Sequence, residues 1–259
     1  MVKSKIIIDE IEKIAPLRYS YDWDNSGLMV GSTECNISKV MLCLDITPKV
    51  VAQAISENCD LIISHHPLLF KSLNVIDYTT AKGKMIKDII NNNITVYSAH
   101  TNIDSADGGI NTVLAAMFQL QNVEVLESNV NYPEIGIGRI GCLKEEISFA
   151  QLCDNTKQIL GTDFLKVVGN ANSLIKKLCV ASGSCGDLIP LAASKGADAV
   201  ITADVKYHEA LDAVEMGISV IDAGHYPTEI IVCEIFKNII SKFDVEIVIA
   251  DSCDVFSIS

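Results

Sequence analysis

The chain reads as an α/β protein built from two α/β halves with mainly parallel sheets. Apolar runs of strand length alternate with segments of helical period. The alternation occurs twice, and polar residues rich in histidine follow several of the runs. In the first half KVMLCLDI reads as a strand, PKVVAQAISENC as a helix, DLIISHH as a strand, TTAKGKMIKDIINN as a helix and ITVYSAH as a strand. Strand, helix, strand without a hairpin turn between strands implies parallel pairing with crossover helices. The second half repeats it as KLCVASG, CGDLIPLAASKG, ADAVITAD, KYHEALDAVEMG and ISVIDAGHY. A helix PTEIIVCEIFKNIISKF, beginning near Pro227, and a last strand VEIVIAD complete the chain. Pro133 and the glycines at 136, 138, 141 and 161 mark the junction as a boundary or a bent strand. The expected halves are residues 1–128 and 129–259, with the last helix and strand packing back on the first half.

Composition narrows the classes. With 259 residues, 49% hydrophobic and 20% charged, the chain can bury a substantial core. The N-terminal apolar run Ile6–Ile8 meets Asp9, Glu10 and Glu12, which predicts neither a signal peptide nor a spanning helix, and so a cytosolic protein without a membrane partner. Nine widely spaced cysteines without a Cys-x-x-Cys pair argue against a disulfide framework and a zinc knuckle. A net charge of -13 opposes phosphate contacts, so no nucleic-acid partner is expected.

The strand ends carry the chemistry, as open parallel sheets generally arrange it. They supply His65, His66, His100, Asp104, His225 and Glu229, too many ligand-type residues for one ordinary zinc and suited to two ions sharing a carboxylate. Consecutive side chains on a strand point to opposite faces. At a strand end turned by Pro67, His65 and His66 can instead each serve a different ion. Imidazole and carboxylate suit zinc, iron, manganese or cobalt alike. Plainer readings stand beside these. Asp104 reads also as an Asx turn before Gly108 and Gly109, and Glu229 as a carboxylate favoured in the first turn of a helix.

The motifs SHHPLLF, SAHTNID and DAGHYPTE occur with DWDNSGL near the start and GADAVITADVKYHEALDA before the last motif. In that order they resemble the NIF-three family (Ngg-one-interacting factor three), dinuclear-metal-centre proteins often named GTP cyclohydrolase I type 2 homologues. The resemblance implies two related, interleaved α/β domains and a toroidal homohexamer assembled from dimers. It implies two divalent ions per chain, with His65 on one, His66 on the other, Asp104 and His225 as further ligands and Glu229 shared. It also implies a proton-transfer role for His100, and it brings His208 towards the same cavity, where His208 reads equally as a histidine on a helix surface. Asp22, Asp24 and Asn25 match a structural N-terminal turn. Two segments depart from the family pattern: Thr202-Ala203-Asp204, where many members have Thr-Gly-Glu, and ASGSCGD, which inserts Cys185. Asp204 and Cys185 thereby become candidates for the cavity wall.

The activity implied is hydrolysis of a purine nucleotide such as GTP, by addition of water at C8 of the guanine and release of formate. No GxxxxGK[ST] loop is present, so phosphate would rest on helix N-termini such as the one after ASGSCGD. A phosphoester or amide hydrolase fits the same residues. A metal-binding assembly or adaptor protein without catalysis is the alternative from another class.

Overall fold

The computed structural model describes residues 1–257, in two compact units. Met1–Ile103 and Val232–Cys253 form the first, and the second begins at Asp104, runs to Ile231 and takes up the chain again from Asp254. The polypeptide therefore leaves the first unit and returns to it. The expected boundary after residue 128 falls within a hairpin, where Gln121–Ser128 pairs antiparallel with the long strand Gly136–Ser148. Of the two readings of the glycine-rich stretch, the strand is the one found for Gly136, Gly138 and Gly141, where glycine admits a near backbone, and Gly161 instead ends the helix Phe149–Leu160.

The first unit is built on a five-stranded sheet in the order Glu246–Ile249, Lys39–Cys43, Leu61–Ser64, Thr95–Ser98, Gly27–Val30. The first four strands are parallel and the last pairs antiparallel. Leu61–Ser64 and Thr95–Ser98 are buried at every position, so they read as unbroken apolar runs and not as alternating ones. Helices Pro48–Ser56 and Ala81–Asn91 make the crossovers, started by Thr47 and Thr80, whose side chains accept from the backbone N–H of Val50 and Gly83. Their apolar residues Val50, Ala54, Ile86 and Ile89 share one core with Met41, Ile62 and Val96 from the sheet. Truncating one of the larger of these to alanine would cost about 2–5 kcal/mol.

The second unit has a six-stranded sheet ordered Gln121–Ser128, Gly136–Ser148, Leu174–Val180, Ala199–Thr202, Ser219–Asp222, Lys166–Val168. Its parallel centre, Leu174–Val180 with Ala199–Thr202 and Ser219–Asp222, is flanked by antiparallel strands. The last apolar segment, expected as one helix from Pro227, is two: His225–Glu229 in the second unit and Val232–Ile240 in the first. The start lies at His225 because Gly224 turns the chain at a φ of 88°, and Pro227 is accommodated inside the first turn, where its missing N–H costs no helical bond. Glu246–Ile249 pairs with Lys39–Cys43. Among the described residues no helix is long and apolar enough to cross a membrane.

Candidate metal centre

In the first unit three parallel strands deliver the chemistry to their C-terminal ends. Ser64 and Ser98 are register partners, with their hydroxyl oxygens 2.8 Å apart, so the residues that follow each strand emerge side by side. The backbone N–H groups of His65 and His66 continue the ladder to the carbonyls of Cys43 and Leu44, at 3.2 and 3.0 Å. Past this point the regular strand has ended, and the two imidazoles no longer point to opposite faces. Their ring centres lie 4.9 Å apart, and His100 completes a triangle at 5.1 Å from His65 and 5.6 Å from His66. One ring nitrogen from each of the three lies within 4.8 Å of the others.

Each ring is held through Nδ1. His65 donates to the carbonyl of Ala99 at 2.9 Å, His66 to Asp45 at 2.7 Å and His100 to Asp24 at 2.7 Å. A carbonyl or carboxylate only accepts, so Nδ1 carries the proton of each bond, the tautomer that turns Nε2 toward coordination. That is the arrangement metal-binding histidines use, and it fixes the orientation of the three rings. Asp45 was missed in the sequence. Its one signal is an acid directly after the apolar run KVMLCL. Asp24, expected only to shape a turn, also accepts from the Thr101 N–H at 3.1 Å, the Thr101 hydroxyl at 2.6 Å and the Ser26 hydroxyl at 2.8 Å. Burial opposes its ionisation, but these bonds and the neighbouring His100 outweigh that and hold the carboxyl well below the usual carboxylate range.

The second unit contains Asp104, Cys185, Asp204, His208, His225 and Glu229. His225 and Glu229 begin and end one short helix. The i, i+4 spacing sets them on one face, with His225 Nε2 2.9 Å from Glu229 Oε2. His225 Nδ1 bonds Asp204 at 2.7 Å, so the acid of the divergent Thr-Ala-Asp segment orients a histidine, as Asp24 and Asp45 do in the first unit. Asp104 and Glu229 are both buried. The divergent ASGSCGD turn closes on the last motif. Gly183 N–H donates to the Thr228 hydroxyl at 3.1 Å, and a Cβ at Gly183 would collide with Glu229 Oε1. Only glycine leaves room for that carboxylate. Burial pushes the Cys185 thiol well up, and the nearby Asp104, Asp187 and Glu229 carboxylates add to the shift, so it is a neutral neighbour rather than a nucleophile. His208 is exposed on the helix Tyr207–Met216, edge-on to Tyr207 at 5.6 Å.

Nitrogen donors with engaged Nδ1 atoms in one unit, and an imidazole–carboxylate pair in the other, fit borderline divalent ions. Comparison with known proteins agrees in family. The profile of Duf34/NIF3 (NGG1p interacting factor 3) matches residues 2–254. The chain belongs to this family. A Clostridium acetobutylicum protein named GTP cyclohydrolase 1 type 2 homolog is 41% identical to this Duf34/NIF3 chain over 88% of its length and 85% of the relative's. A Bacillus cereus protein described as related to NIF3 has a TM-score of 0.92 at 25% identity, covering 100% of this chain and 99% of that one. Reduced HcgD from Methanocaldococcus jannaschii gives 0.84 at 34% identity, covering 97% and 98%.

Proposed function

We propose that this Duf34/NIF3 chain is a metal-dependent hydrolase of a small molecule, with GTP or a related purine nucleotide as the first substrate to test. The observation that carries the reading is the common orientation of His65, His66 and His100, each with Nδ1 committed to an acceptor. The name shared by curated relatives supplies the candidate substrate.

His65, His66, Asp104, His225 and Glu229 are proposed to hold two divalent ions, Glu229 being shared. Such ions acidify bound water and offset developing negative charge when present. His100 is proposed to move the proton: its Nδ1 is pinned on Asp24, which leaves Nε2 to take a proton from attacking water and return it to the departing ring nitrogen. One water adds at C8 and the ring opens; a second water then releases formate. His100→Ala should keep both ions and lose turnover. Loss of an ion in that variant would make His100 a ligand instead.

The test is formate release from GTP by the metal-loaded protein, with Glu229→Ala as the matched control. Turnover in the wild type only supports the reading. Two ions per chain with no turnover would leave the metal centre standing and turn the search to other small-molecule substrates or to the adaptor alternative. A homohexamer is proposed on the family resemblance, and light scattering at six times the chain mass would support it.

A further inference from the structure

We infer that Tyr21, Trp23 and Phe70 form a stacking shelf for a planar nitrogen heterocycle beside His100. The inference rests on the hydrolase reading for why a ring should lie there, and on its own geometry for the rest. Trp23 is 61% exposed and Phe70 47% exposed. The two rings meet edge to face at 6.1 Å, and each meets the His100 imidazole in the same manner, at 6.2 and 6.0 Å. Tyr21 stacks on the indole at 5.7 Å with an interplanar angle of 27°. Two aromatic side chains, Trp23 and Phe70, therefore flank a histidine that is itself within a ring's breadth of His65 and His66, and Tyr21 backs the indole.

The shelf is held in place. The Tyr21–Asp24 turn closes through the Asp24 N–H to Tyr21 carbonyl bond at 3.0 Å. Asp24 anchors it to His100 and Thr101, the Tyr21 N–H donates to the Thr101 hydroxyl at 3.1 Å, and the Asn25 amide donates to the carbonyl of Leu69, next to Phe70, at 2.6 Å. These bonds fix the backbone on both sides of an indole that stays 61% exposed, so the ring is positioned without being buried. Its use is recognition. A flat π-face binds flat heterocycles, with stacking contributing most of the affinity and no need for a defined hydrogen-bond pattern. A ring on this shelf has one edge against His100, the side chain positioned to exchange a proton with a ring nitrogen. A phosphate or an aliphatic ester has no π-face to stack on it, and a sugar offers only its weaker C–H contacts.

Trp23 is the single tryptophan in the chain, so its fluorescence reports on this place alone. The experiment titrates the full-length, metal-loaded protein with guanosine 5′-monophosphate and, separately, with ribose 5-phosphate, which carries the same sugar and phosphate without the base. Saturable quenching by the nucleotide only is expected. Trp23→Leu, checked for native circular dichroism, should weaken nucleotide binding in equilibrium dialysis by about tenfold or more, and Trp23→Phe should recover most of it. Equal quenching by ribose 5-phosphate, unchanged binding in Trp23→Leu, or a blue-shifted emission insensitive to both compounds, as when a second copy covers the ring, would each overturn the shelf. Quenching without formate release keeps the shelf and removes the reaction. Formate release that ignores Trp23 does the reverse.

Discussion

Asp24 Oδ1 lies 2.7 Å from His100 Nδ1, although 76 positions separate the two residues in the chain. The second carboxylate oxygen is fully used by Thr101 and Ser26. An asparagine at 24 must turn its amide nitrogen either toward His100 Nδ1 or toward three donors, so it fails in both orientations. Asp24→Asn should therefore lower turnover about 10- to 100-fold by releasing the His100 tautomer. Nitrogen NMR of His100 separates this from a structural effect, because the proton should redistribute between the ring nitrogens. Wild-type spectra together with wild-type turnover would remove Asp24 from the mechanism.

Gly183 has a φ of 64° and faces Glu229 Oε1. Gly183→Ala should destabilise the protein by about 1–3 kcal/mol and lower its metal content, since backbone strain and a displaced carboxylate act together. Gly196→Ala is the control: its φ of 77° is equally left-handed, but nothing lies within 4 Å of the added carbon. Denaturant midpoints with metal analysis check the pair. Equal metal content in both variants would argue against Glu229 as a ligand.

Arg139 is buried in the second unit, where its guanidinium donates to the carbonyls of Gly136, Gly138, Ser105 and Ala106 and to the Thr112 hydroxyl. It thereby fixes the chain directly after Asp104. Arg139→Met should cost about 2–4 kcal/mol, because it strands buried acceptors. Thermal unfolding would show a loss well beyond that of an exposed charge. A midpoint equal to wild type would mean that water replaces the guanidinium.

Burial pushes the thiols of Cys179 and Cys233 up to about 12, against 9.0 for an ordinary cysteine. Above pH 9 the unfolded chain loses these protons and the folded chain keeps them, so the unfolded state binds fewer protons and stability falls as pH rises. The contribution is complete below pH 9 and lost on approaching pH 12, at about 1.4 kcal/mol per thiol per pH unit. Denaturant midpoints between pH 8 and 10.5 should decline, less steeply in a Cys179→Ala, Cys233→Ala variant. Parallel slopes would contradict the burial argument.

The parallel strands and crossover helices of both sheets were legible in the sequence because a fully buried parallel strand writes itself as an apolar run, as Leu61–Ser64 and Thr95–Ser98 do; the antiparallel strands Gly27–Val30 and Lys166–Val168 were not. His65, His66 and His100 were legible for the same reason, as polar residues directly after such runs. The hairpin at 121–148 was legible only as a boundary or a bent strand, since glycine serves close strand contact as readily as a break between halves. The histidine partners were not legible. Asp45 reaches His66 because Cys43 pairs with Ser64, and Asp24 reaches His100 because Gly27 pairs antiparallel with Ser98.

By itself, the sequence determined which segments form the parallel strands and their crossover helices, which family the chain belongs to, and which histidines stand at strand ends. These follow from local hydrophobic period and from motifs contained within a few residues. Only the tertiary structure decided that each of those imidazoles is oriented through Nδ1, that Asp204 serves His225, that Gly183 makes room for Glu229, and that the lone tryptophan stands against His100. Such relationships depend on sheet register between distant strands, and register is set by the packing of the whole fold rather than by any one segment.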